Sequence, residues 1–307
     1  MNDRIVVLTD GKAGHENQSK AFARSLGGEV ALVGVKFKSK LHKALSYLLD
    51  RLGIRTLSLV TMERSVEGAR AVVGTGSGTF YAVKALARRL GAKGGVVLYP
   101  RGYDLASFDC ILAPAFDRPV SAPNVVTIPA NLVASDEAFY AKGTEAFLAR
   151  HRPAKPRAVA VIVGGPNRCS TMSAEWTRRQ LDRIFAENGD CEFWVTTSRR
   201  TPPEVESEVA SRPWDYALIY SRDRFNPIPA FVRLADRIYV TAESTGMLSE
   251  ACTFGKAEVF ALDNLNPGPS KFRRFIDGLR DGGYLNGSRK VDLSAEFAAA
   301  RRLMGVS

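Results

Sequence analysis

Short apolar, β-branched runs recur along the chain, and most are followed by a stretch with helical spacing. In the first half the runs are RIVVLT (4–9), EVALVGV (29–35), AVVGTG (71–76), GVVLYP (95–100), DCILAP (109–114) and NVVTIP (124–129). Several are apolar at successive rather than alternate positions, which suits parallel strands covered on both faces. SKAFARSLG (19–27) and TFYAVKALARRLG (79–91) lie between them. Both have helical spacing and end in Gly, the residue favoured just past a helix C-terminus. Alternating strand and helix predicts a doubly wound α/β layer.

The pattern breaks at ARHRPAKPR (149–157), which is basic, carries two prolines and has little apolar content. We read it as a linker. Beyond it the alternation restarts with AVAVIVGG (158–165), CEFWVTTS (191–198), YALIYS (216–221), DRIYVTA (236–242) and AEVFAL (257–262) as strands. AEWTRRQLDRIFAENG (174–189), PPEVESEVASR (202–212) and STGMLSEACTFG (244–255) are the helices, the second opened by prolines and the third by a capping serine. The expectation is two α/β domains, 1–150 and 151–307, with the last helix packing back on the first.

One segment departs from this scheme. GVKFKSKLHKALSYLLDRLG (34–53) is basic at its start and then apolar at Leu41, Leu45, Leu48, Leu49 and Leu52, an amphipathic helical spacing. Two uses fit it. The leucines cover the sheet, or the helix touches an anionic membrane surface or a lipid-linked substrate.

Composition narrows the partners. The 307 residues are 45% hydrophobic and 24% charged, with a net charge of +11, which favours anionic partners such as nucleotide phosphates. No nucleic-acid module or aromatic-basic patch supports a nucleic-acid partner. No apolar run approaches the roughly 20 residues that span a bilayer. Asp3 and Arg4 stand directly before the first strand, so the opening does not read as a signal peptide. Cys110, Cys169, Cys191 and Cys252 are scattered without a C-x-x-C pair. They read as reduced thiols of a cytoplasmic protein, and three histidines without ligand spacing predict no metal site.

The chemistry collects in the turns that follow strands, the edge where doubly wound folds bind ligands. TDGKAGHENQ (9–18) sets Asp10, Gly11, Lys12, Gly14, His15, Asn17 and Gln18 where a strand gives way to a helix. Its glycines allow close approach, and a helix N-terminus favours an anion. It matches neither the dinucleotide fingerprint nor the P-loop. Histidine is the residue type that ordinarily titrates near neutrality, so His15 suits a general base. GTGSGT (74–79) places Gly76, Ser77 and Gly78 in a second such turn. In the second half GGPNR (164–168) brings Gly165, Asn167 and Arg168, and SRRTP (198–202) brings Ser198, Arg199, Arg200 and Thr201. Two guanidinium forks before a helix start suit a phosphate. The densest block, DRIYVTAESTGMLSEACTFGKAEVF (236–260), carries Glu243, Ser244, Thr245, Gly246 and Glu250. A Ser/Thr pair at a helix start can donate to a diphosphate, and a carboxylate can accept both ribose hydroxyls. A tight turn or a capped strand–helix unit with solvated polar groups is the plainer reading of each of these stretches.

Together TDGKAGHENQSKA, SRRTP and the YVTAESTGMLSEACTFGKAEVF block resemble the mitochondrial-fission "elongated mitochondria" family, which is similar to GT-B glycosyltransferases. The family's name records a cell phenotype, not a reaction. The resemblance runs roughly from Arg4 to Lys271 and implies two Rossmann-like domains facing a cleft, with a nucleotide sugar on the second. It implies Glu250 at the ribose, Ser244 and Thr245 at the diphosphate with Arg199 or Arg200 beside them, and an acceptor on the first domain. TDGKAGH sits where the lipid-linked-sugar transferase of peptidoglycan synthesis carries GGTGGH. Asp10 and Lys12 intrude here and the double glycine is lost, so the acceptor's identity does not carry over.

The function this implies is a metal-independent, peripheral glycosyltransferase of the cytoplasmic membrane's inner face. It needs no cofactor beyond a nucleoside-diphosphate sugar of unspecified base, and acts on an envelope glycan or glycolipid. Asp10 or His15 serves as base if the reaction inverts. A non-catalytic adaptor binding membrane or a division partner is the alternative. A sugar-nucleotide epimerase with G-x-x-G-x-x-G and Y-x-x-x-K is disfavoured, since Tyr81 and Lys84 stand one residue too close.

Overall fold

A computed structural model describes residues 3–306. It divides into two compact units, Met1–Ala134 with Asp292–Ser307, and Ser135–Val291. The boundary expected at residue 150 therefore lies instead between 134 and 135.

In the first unit the elements run β1 (Arg4–Thr9), α1 (Ala13–Leu26), β2 (Glu29–Phe37), α2 (Lys40–Arg51), β3 (Val60–Met62), β4 (Ala71–Thr75), α3 (Phe80–Leu90), β5 (Lys93–Val97), β6 (Cys110–Pro114) and β7 (Val125–Ile128). The second unit holds α4 (Glu137–Leu148), β8 (Ala158–Ile162), α5 (Ala174–Asn188), β9 (Glu192–Thr196), α6 (Pro203–Ala210), β10 (Tyr216–Leu218), α7 (Ile228–Leu234), β11 (Arg237–Thr241), α8 (Thr245–Thr253), β12 (Glu258–Leu262) and α9 (Lys271–Asp281). The chain then returns to the first unit with α10 (Ser294–Leu303), which packs on α1, β6 and β7.

The first sheet has the order β3-β2-β1-β4-β5-β6-β7 and the second β10-β9-β8-β11-β12. Every pairing is parallel except β2 with β3, so the doubly wound reading holds in both units. The central strands β1, β4, β6, β8 and β9 are buried nearly end to end, as their unbroken apolar runs require. Strand order reverses between β1 and β4 in one sheet and between β8 and β11 in the other. Each reversal opens a crevice at the carboxyl ends of those strands.

The helix signals work as physical chemistry says they should. Ser39, Asp136, Ser173 and Ser270 each accept a backbone N–H at a helix start. Gly27 and Gly91, with φ of 73° and 61°, end α1 and α3 in conformations that disfavour other residues.

Helix α2 corrects the expectation that its leucines cover the sheet. Its inward face carries Ser46 and Asp50, at 0% and 1% exposure, while Leu41, Leu48 and Leu52 are 74%, 54% and 63% exposed. Asp50 bonds the Lys84 ammonium at 2.8 Å, the Arg55 guanidinium at 3.2 Å and the Asp104 amide at 2.6 Å. Ser46 Oγ lies 2.9 Å from the Tyr103 hydroxyl. Polar partners far along the chain thus decide which face turns in.

Candidate functional site

In the first unit the turn after β1 and the turn after β4 meet in the crevice of strand reversal. Glycine makes this meeting geometrically allowed. A Cβ on Gly76 would stand 2.5 Å from the His15 ring, and one on Gly78 would stand 2.8 Å from the Asp10 Cβ. Gly76 also has φ +81°. The two loops singled out in the sequence are therefore one site. Ser19 Oγ and Thr75 Oγ1, 2.6 Å apart, bind α1 to the end of β4 beneath it. Lys43 of α2 donates to Ser77 Oγ at 2.9 Å.

His15 Nδ1 lies 3.1 Å from both Asp10 oxygens, and the Lys12 ammonium 3.1 Å from Oδ2. Burial works to raise the Asp10 pKa. The hydrogen bond from Lys12 and the charge of His15 outweigh it and hold the carboxyl below its usual value. An ionised carboxylate only accepts, so Nδ1 carries a proton, and in the neutral form of the ring Nε2 bears the lone pair. Nε2 has no hydrogen-bond partner among the described residues. This is the arrangement in which a carboxylate orients an imidazole as a base.

Around that pair, Gly11 and Gly14 have open space where a side chain would be. Asn17 is exposed, whereas Gln18 is buried and turns back to Gly14 O at 3.4 Å, leaving its Oε1 without a partner. Glu16, in the first turn of α1, takes Thr9 Oγ1 and Lys20 rather than facing the crevice.

In the second unit a cavity of about 300 Å³ opens at the carboxyl ends of β8, β9 and β10. That is the low end of the size of small-molecule sites. Arg199, Arg200 and Arg224 give it positive charge, and Tyr220, Phe225 and Met247 give it an apolar wall. Gly164, Ser198 and Ser244 also line it. Ser244 opens α8 without a side-chain cap bond, so the first amides of that helix and the serine hydroxyl remain available to an anion.

Other predicted residues of this unit do different work. Glu243 is buried, and its Oε1 accepts from Gly165 N at 2.9 Å and Thr241 Oγ1 at 3.0 Å. Its Oε2 accepts from Asn264 Nδ2 at 2.7 Å. It clamps the GGPNR turn and does not line the cavity, which corrects its expected role. A Cβ on Gly164 would fall 2.0 Å from that same carboxylate, and one on Gly165 2.2 Å from Arg200 O. Thr201 likewise turns inward, accepting from Ser198 N at 2.8 Å and donating to Gly164 O at 2.5 Å. Asn167 uses Oδ1 to accept from Cys169 N at 2.8 Å, and Arg168 is exposed outside the cavity.

Thr245 and Gly246 stand at the start of α8, with Thr245 O held by Ser249. Glu250 does not line the cavity. It is half-buried one turn beyond Met247, and accepts from the Tyr140 hydroxyl of α4 at 3.0 Å. Burial raises its pKa, with the Tyr140 bond pulling the other way. Oε2 has no hydrogen-bond partner among the described residues.

The Mitochondrial fission ELM1 family model matches residues 13–299. The chain belongs to that family. Compared with curated proteins, this ELM1-family chain matches none. Among solved structures it is similar to S. aureus MnaA bound to UDP, at 14% identity over 100% of this chain and 92% of the other, with a TM-score of 0.51. It is also similar to the UDP-GlcNAc 2-epimerase of Methanocaldococcus jannaschii in complex with UDP-GlcNAc and UDP, at 12% identity over 100% and 99%, with a TM-score of 0.50. The epimerase of Neisseria meningitidis bound to UDP-GlcNAc gives 11% identity over 100% and 98%, with a TM-score of 0.50. At such identities the likeness is one of fold, and that fold is GT-B-like.

Sequence reasoning missed Tyr140, Tyr220, Arg224 and Phe225. The last three sit in YSRDRFNP after β10, where two arginines and two aromatics beside a strand end were a readable signal. Tyr140 had none.

Proposed function

We propose that this ELM1-family chain is a glycosyltransferase that moves a sugar from a nucleoside-diphosphate sugar to an envelope glycan or glycolipid. The observation that carries this reading is the cavity of the second unit. Its aromatic and aliphatic wall suits a base, and its three arginines with the start of α8 suit a diphosphate. The similar structures hold UDP or UDP-GlcNAc, which supports the same ligand class here.

In this reading Arg199, Arg200, Arg224 and the α8 amides take up charge as the diphosphate leaves with the electron pair of its bond to the sugar. No metal is needed for that role. Glu250, bonded to Tyr140 and outside the cavity, contacts no part of the nucleotide in this reading. In the first unit His15 Nε2 takes the proton from the acceptor hydroxyl, whose oxygen forms the new bond to the anomeric carbon. Asp10 holds the ring and balances the imidazolium. That assignment applies to an inverting reaction; in a retaining one the pair positions the acceptor.

A UDP-sugar epimerase is the second reading, favoured by the epimerases among the similar structures. The absent Y-x-x-x-K pair excludes only epimerases that use it. Incubation with UDP-, GDP-, CDP- and ADP-sugars and total membrane lipid separates the readings. Release of the nucleoside diphosphate with labelled lipid or glycan supports transfer. Conversion of the sugar without release supports epimerisation, and binding or silence without turnover supports an adaptor.

A further inference from the structure

Helix α2 exposes a continuous apolar stripe. Leu41, Leu45, Leu48 and Leu52 recur at spacings of four, three and four, so they lie along one side of the helix, and Ile54 follows just past its end. The other exposed large apolar side chains are dispersed, on β2 and at Val120, Phe139 and Leu148. The stripe cannot turn inward cheaply. Its opposite face holds the buried Asp50–Lys84–Arg55 cluster and the Ser46–Tyr103 bond, and a rotated helix would strand those charges.

Charge points to what covers it. Lys38 and Lys40 lead into the helix, Arg51 ends it and Lys36 lies on the preceding strand; all four are exposed, and none has an acidic partner among the described residues. The helix's one acid, Asp50, is internal. Nearby acids are otherwise engaged, Glu63 with the Gly34 amide at 3.0 Å and Asp104 with Arg55 at 3.8 Å. Leucines on one face with unpaired cations near its ends make an interfacial helix, seated among headgroups rather than crossing the bilayer.

We propose that α2 docks the first unit on an anionic lipid bilayer through Leu41, Leu45, Leu48 and Leu52. Lys43 joins this helix to Ser77, in the turn whose glycines pack on His15 and Asp10. Lys43 lies on the side of α2 opposite the leucines, so docking holds the Asp10–His15 crevice one helix diameter, ~10 Å, behind the lipid-facing stripe. Taken with the transferase reading, on which this last step rests, it narrows the acceptor to a lipid-linked one.

The test is flotation of the full chain with vesicles of phosphatidylcholine alone or mixed with phosphatidylglycerol. Binding is expected to the mixed vesicles only and to weaken with salt. L41Q/L48Q/L52Q should lower partitioning at least about a hundredfold. K36Q/K38Q/K40Q/R51Q should lower it about fivefold per charge removed. Both variants should keep the parent melting temperature, since the side chains changed are exposed. Three results overturn the proposal: no binding to either vesicle, equal binding by the leucine variant, or a dimer in sedimentation that the leucine variant dissolves. Melting-temperature shifts with nucleotides, read on the same leucine variant, report the second-unit cavity separately, so the two readings fail independently.

Discussion

Replacing Glu243 by alanine tests whether this carboxylate builds the site from behind. The side chain is 3% exposed and accepts three donors, the Gly165 amide, the Thr241 hydroxyl and the Asn264 amide. Alanine leaves the Gly165 and Asn264 amides buried without this acceptor. An orphaned buried donor costs about 1–3 kcal/mol, and the Thr241 hydroxyl can turn elsewhere, so the expected loss is about 3–5 kcal/mol. Glutamine is a sharper probe. It keeps an oxygen toward Gly165 and Thr241 and sets its own amide against that of Asn264. Asn264 can turn over, because its Oδ1 is buried with no partner in the native structure. E243Q should therefore lose only about 1–2 kcal/mol, the charge-assisted part of the bonds. Urea unfolding measures both. Nucleotide binding should weaken strongly in E243A and mildly in E243Q, since Gly164 of the released turn lines the cavity. Equal losses for the two variants, or native stability in E243A, would refute the clamp.

Other outcomes follow from the same geometry. G76A should destabilise the chain by about 1–3 kcal/mol through its positive φ and push the His15 ring off Asp10, visible as a shifted imidazole resonance in NMR. D50A should cost about 3–5 kcal/mol in urea unfolding, because the buried Lys84 ammonium loses its counter-charge. Glu250 has a folded-state pKa raised above its usual 4.5, so the folded state binds more protons than the unfolded one between the two values. Stability should fall as pH rises through that window and level off above it. Melting curves of E250Q across the same range should lack this fall.

The strands were legible because their burial is written locally: a run such as RIVVLT cannot be solvated, and β1 occupies those six residues. β3 was not, since VTM is three residues long and pairs antiparallel at the edge of the sheet. The direction of α2 was left open for a different reason. Leucine spacing announces an amphipathic helix, but the partners that turn Asp50 inward, Lys84 and Asp104, lie 34 and 54 residues away. The same limit applies to the acids of the 236–260 block. Spacing placed Glu243 and Glu250 near one helix start without showing that one clamps a glycine turn and the other meets Tyr140. Asp10 and His15 were readable as a pair of chemical groups. The proposed order, with the carboxylate as orienter and the ring as base, draws on the Lys12 contact and the glycine packing of a distant loop.

The central claim is that the cavity beside Arg199, Arg200 and Arg224 binds a nucleoside diphosphate. Thermal unfolding of the chain with UDP, GDP, CDP or ADP tests it most directly. At a hundred times its dissociation constant, a ligand specific to the folded state adds about 2.7 kcal/mol. The account predicts a rise in melting temperature with one of these nucleotides, lost in R199Q/R200Q. An absence of any shift at millimolar nucleotide, or a shift untouched by the arginine substitutions, would contradict it.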